Sequence, residues 1–214
     1  MTTISLLGRL APLGPLAMAG WALSVPYQLS EEPRTWIPRA AAESGRLQVA
    51  FVMLLLFAMT ATAGAIVTGL VARRASLGIG TTGLVLTVTG FGAVSFSGAG
   101  YDAAAVAAHR VGAPAERVLA ELDTFAAPMI AGAVFVPLMA LGVILMGVAL
   151  WRGRAVPRWA AALLIAAFPV ILVGGAFSTI VNAAGWLLMA VGFWAAGEAF
   201  VRQSARYPVA PSGM

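Results

Sequence analysis

The chain has 214 residues, 61% of them apolar and 10% charged, where a soluble domain carries about a quarter charged residues. That balance and a mean hydropathy of +0.93 exclude an ordinary water-soluble fold and point to a polytopic helical membrane protein. The net charge of +5 comes from arginines in ones, twos and threes at the ends of apolar segments, a pattern of membrane topology and not of nucleic-acid binding.

Read from charge to charge, residues 10–30, 47–72, 75–101 and 124–151 are free of charge, and each is long enough for one crossing of about 20 helical residues. Residues 159–197 form a 39-residue run, too long for one crossing, which must fold back where Ser178, Thr179 and Asn182 interrupt the apolar pattern after Gly174 and Gly175. The expected fold is an all-α bundle of six spans at 10–28, 47–71, 77–98, 126–150, 159–177 and 182–201. Loops at 29–46 and 99–125 lie outside, in a single transmembrane domain covering 1–214.

The arginines set the expected orientation. With both termini cytoplasmic, the inner ends hold Arg9, Arg73, Arg74, Arg152, Arg154, Arg158, Arg202 and Arg206 against one acid, Glu198. The outer loops hold five arginines against seven acids, so the positive side is inside. The first span has a second reading: Arg9, an apolar stretch and Ala17-Met18-Ala19 also fit a cleavable signal peptide. Pro12 and Pro15 in so short an apolar region favour retention.

In the second outer loop, Asp102 is placed to cap an Ala-rich helix, and Pro114 to open another helix whose apolar face is Val118, Leu119, Leu122 and Phe125. Inside the bundle, close approach is expected at small residues. These are Gly80, Gly83, Thr87 and Gly90 on the third span; Ala58, Ala61, Ala65 and Gly69 on the second; Ala133, Ala140 and Gly147 on the fourth; and Gly185, Gly192 and Ala196 on the sixth. Pro137 and Pro169 are expected to kink the fourth and fifth spans.

The chemistry open to such a chain is narrow. With no cysteine and one histidine, His109, thiolate or His-rich metal sites, disulfides, cysteine nucleophiles and bis-histidine haem are excluded, and no metal or cofactor is expected. No charge lies at depth; Glu198 sits one turn from Arg202 and is expected to pair with it. The polar groups left within the spans gather on the outer half. Ser95, Ser97, Ser178, Thr179 and Asn182, with the loop around Asp123 as a lid, form the candidate ligand pocket, and its ligand is expected to be neutral or apolar. The same side chains have a plainer use, with Asn182 capping the sixth helix and the hydroxyls bonding to carbonyls one turn back.

The early Arg9 with its Gly/Pro-rich first helix, the turn from Gly69 to Arg73-Arg74, and the loop from Trp151-Arg152-Gly153-Arg154 to Pro157-Arg158-Trp159 resemble small, uncharacterised six-span integral membrane proteins of actinobacteria. The resemblance covers the layout of the whole chain and brings no activity or site with it. The expectation is a non-catalytic accessory or scaffold protein of the bacterial plasma membrane, in contact with the lipid bilayer and another membrane protein. The alternative is a carrier or binding protein for a small neutral or lipophilic solute, through an outward-facing pocket.

Overall fold

Proline placement shapes the start of the chain. In the computed structural model, which describes residues 3–94 and 100–206, α1 (Thr3–Leu10) and α2 (Leu13–Ser24) are separated at Ala11-Pro12. Pro12, with φ −75°, becomes the N-cap of α2, where its missing N–H costs nothing. Val25 is extended (ψ 132°), as suits a residue before proline, so the helix stops before Pro26. The first apolar segment therefore runs over Ser5–Ser24, earlier at both ends than the expected 10–28.

The expected loop 29–46 contains a helix, α3 (Pro33–Ala42), opened by Pro33 in its first turn. Next comes α4 (Ser44–Ala75), 32 residues long and extending beyond 47–71 at both ends. Its last turn carries Arg73 and Arg74, where cations complement the helix dipole. Ser76, extended at φ −154°, is the whole connection to α5 (Leu77–Val94). The second expected loop also folds, into α6 (Tyr101–Arg110) and α7 (Ala115–Leu122). Gly100 in the left-handed region (φ 91°) is the N-cap of α6, so Asp102 sits in the first turn and not at the cap.

The fourth segment is α8 (Ala126–Ile130), a π-helical turn at Ala131–Phe135, and α9 (Val136–Gly153). The expected kink at Pro137 takes this form: proline cannot donate to the carbonyl four residues back, and the turn before it widens. The extra residue rotates everything upstream. Ala133 consequently faces outward, and the buried stripe of α9 is Met139, Gly142, Val143, Met146 and Leu150. In α4, Ala58 is likewise exposed, while Phe57, Ala61, Gly64, Ala65 and Thr68 form the buried face. The chain ends in α10 (Arg158–Phe177) and α11 (Thr179–Arg206), joined through the single residue Ser178.

Helix accounts for 87% of the described residues, and none of them is in a strand. Five segments are long and apolar enough to cross a membrane: Ser5–Ser24, Ser44–Ala75, Ala131–Gly153, Arg158–Phe177 and Thr179–Ala205, with Leu77–Ala93 a shorter apolar sixth. They pack as a ring, α2 on α4, then α5, α9, α10 and α11, which closes back on α2. Small residues let the backbones meet. A Cβ built on Gly83 would lie 2.9 Å from the Gly142 carbonyl oxygen, and one on Gly174 2.6 Å from the Val181 carbonyl carbon. Phe57, Phe91, Trp186 and Phe193 fill the middle, edge to face at 5.4–6.4 Å.

Contacts sort the charges to two ends. At one end Arg74 donates to the Gln203 side-chain oxygen at 2.9 Å, and α1 packs on α11 beside Gly197 and Val201. This arginine end holds Glu198, which does not pair with Arg202; the ion pairs among the described residues are Arg34–Glu32, Arg39–Glu31 and Arg46–Glu43 at the opposite end. There α3, α6 and α7 form a cap with an apolar core of its own, including Trp36, Ile37, Ala40, Ala105 and Val106.

Candidate solute cavity

Where the cap meets the ring, a cavity of about 530 Å³ opens. Its floor is Met18 and Trp21 of α2 with Phe51 and Leu54 of α4; its roof is Tyr101 and Asp102 of α6 with Leu119 and Asp123 at the end of α7. One turn deeper along α4, Phe57 and its ring partners close the bundle.

Three contacts hold the cavity's shape. Tyr27, in the stretch between α2 and α3, stacks on Trp36 with ring centroids 4.7 Å apart. Its hydroxyl donates to the Asp102 carboxylate, joining residues 75 positions apart in sequence. Tyr101 donates to the Leu122 carbonyl at 2.9 Å, tying α6 to α7. Burial pushes the Asp102 carboxyl above the usual carboxylate range, against the opposing effect of the Tyr27 hydrogen bond. Burial, and then the Asp102 charge, push the Tyr27 hydroxyl far above the ordinary tyrosine value. Tyr27 thus remains a donor at any physiological pH.

The sequence-derived pocket residues scatter around this site. Asp123 lines the cavity, standing at the C-cap of α7. Ser95 and Ser97 lie outside the described residues. Ser178 is the turn itself, its hydroxyl accepting from the Val181 N–H at 3.5 Å. The Thr179 N–H donates to the Gln28 side-chain oxygen at 3.2 Å. Thr179 lines a separate pocket of about 250 Å³, which shares Tyr27 and Gln28 with the larger cavity.

Asn182 lies within α11 and does not cap it, because that helix begins at Thr179. The side chain is buried and donates to the Ile171 carbonyl of α10 at 3.0 Å, while its Oδ1 has no protein partner. Its amide bonds α11 to α10 instead of capping a helix.

Sequence reasoning missed Tyr27, Trp36 and Asp102 as a group. Tyr27 and Trp36 are legible as boundary aromatics, but nothing local signals that Asp102 comes to meet them.

No family model, curated protein or solved structure matches this chain. The cavity's own chemistry must therefore carry the functional argument. The α7 face has Val118, Leu119 and Leu122 half-buried, whereas Phe125 is 61% exposed and takes no part. His109 is also exposed and stands away from the cavity, beside a shallow surface pocket with Arg34 and Glu116.

Proposed function

We propose that the chain is a six-span protein of the bacterial inner membrane that binds a small solute in an outward-facing cavity and catalyses no reaction on it. The observation that carries this reading is the 530 Å³ cavity between cap and ring, within the 300–1,000 Å³ typical of small-molecule sites. A scaffold has no need of such a space. The arginine distribution supports an outward cap, since eight of the 13 arginines belong to the other end. The aromatic packing of Phe57, Phe91, Trp186 and Phe193 beneath the cavity supports binding over free passage. A non-catalytic role agrees with a chain that has one histidine and no cysteine.

The lack of cysteine also supplies the test, because an introduced thiol is unique. Leu119→Cys places it in the cavity roof. In intact spheroplasts a membrane-impermeant maleimide is expected to label this variant without permeabilisation. Labelling only after the membrane is broken would put the cavity on the cytoplasmic side. No labelling in either case would mean that the cavity is shut.

A further inference from the structure

The cavity wall has a sign opposite to that of the chain. In a protein with 13 basic and 8 acidic residues, the charged groups among its described lining residues are Asp102 and Asp123, with no arginine or histidine beside them. Two arginines line the adjoining pocket that shares Tyr27 and Gln28, and both are engaged. Arg39 is held by Glu31 and the Pro26 carbonyl, and Arg46 by Glu43 and the Val25 carbonyl.

Much of the rest of the wall is aromatic, with Trp21, Tyr27, Trp36, Phe51 and Tyr101 contributing rings. The face of an aromatic ring carries negative quadrupole density and attracts ammonium and guanidinium groups, most strongly where water is excluded. A carboxylate withdrawn from water is stabilised by a positive partner and strained without one. Tyr27 supplies one hydrogen bond to Asp102 but no charge. A neutral ligand would use the rings and add no charge partner to the Tyr27 hydroxyl, the backbone N–H and the α6 N-terminus that already face Asp102, and an anion would meet two like charges. A bare metal ion would leave most of the 530 Å³ empty.

We infer that the cavity takes an organic cation, an ammonium or guanidinium on an apolar body, seated against the Trp21, Tyr27, Trp36 and Tyr101 rings with its charged head toward Asp102 and Asp123. This rests on the solute-binding reading above and names its ligand class. It replaces the neutral ligand expected from the absence of charge within the spans, because both aspartates belong to the cap.

The test uses purified Leu119→Cys protein in detergent, labelled with a maleimide alone or with one of three probes: benzyltrimethylammonium, benzyl alcohol or benzenesulfonate. The ammonium is expected to slow labelling at least tenfold, with the alcohol and the sulfonate near the rate without probe. Adding Asp102→Asn, which keeps an acceptor for Tyr27, is expected to abolish the protection; labelling without probe reports that the cavity still opens. Equal protection by all three probes would overturn the cation inference and leave solute binding standing. Labelling unaffected by any probe, or protection surviving Asp102→Asn, would also overturn it. A thiol that is never labelled would overturn the open cavity itself, and the inference with it.

Discussion

Asp102 joins the cap to the bundle through Tyr27, and its environment makes stability depend on pH. Burial raises its carboxyl above the ordinary value of 3.8, so the folded state holds the proton more tightly than the unfolded chain. The sign follows: the stabilisation is complete below the unfolded value and is lost as pH rises through the folded one. Asp102→Asn removes the titrating group and keeps an oxygen for the Tyr27 hydroxyl. Melting temperatures in detergent without ligand are expected to show wild type falling behind Asp102→Asn as pH rises from about 4, and to converge at lower pH. A constant difference across the range would contradict the argument. Asn182 is the counterexample at this scale. It is buried and polar, but its amide is bonded across to Ile171, and such a bond between membrane helices is worth about 0.6 kcal/mol.

Among the elements, α5 and α9 meet through Gly83, Gly90 and Gly142. Gly83 sits where a Cβ would come within 2.9 Å of the Gly142 carbonyl oxygen and the Met146 backbone nitrogen. Because these obstacles are backbone, rotamer changes cannot make room, and the helices must separate. Gly92, on the same helix, has nothing within 4 Å of its would-be Cβ. Gly83→Ala is expected to destabilise by about 1–3 kcal/mol, the usual cost of overpacking, and Gly92→Ala by less than about 0.5 kcal/mol. Thermal unfolding of both variants in detergent checks this pair; similar changes in the two would mean that close contact at Gly83 does not govern α5, since helix propensity favours Ala over Gly at both positions. The small-residue rule was legible for this helix because its period is unbroken. It failed at Ala133 because the π-helical turn before Pro137 adds a residue, and no heptad count survives such an insertion.

At the scale of the whole molecule, the ring of helices is filled by rings and small side chains; one cavity lies under the cap, and an apolar pocket of about 550 Å³ lies between α9 and α10, lined by residues such as Val148, Trp151 and Ile165. The arrangement suits a protein that receives a solute at one surface. Sidedness is checked with two more single thiols, Ser76→Cys in the tight turn between α4 and α5 and Ala113→Cys between α6 and α7. In intact spheroplasts Ala113→Cys is expected to react with an impermeant maleimide, and Ser76→Cys only after permeabilisation. Reaction of both from the same side would sink the six-span topology, and reversed reactivity would invert the protein.

Apolar content, charge-free run length and arginine clustering are local quantities that add along the chain. They sufficed to read an all-helical chain with apolar segments able to cross a membrane, the approximate position of each such segment and the fold-back near Ser178. Helix ends drifted because Pro12, Pro26 and Gly100 act on backbone geometry, which hydropathy does not register. The cavity belongs to a different class of property. Tyr27 and Asp102 are 75 residues apart, and each alone reads as an ordinary boundary residue. Packing of α3, α6 and α7 over the ring brought them together, withdrew the carboxylate from water and bonded it to the Tyr27 hydroxyl. The strength of a charge depends on its neighbours and on exclusion of solvent, and both are decided only when distant segments meet.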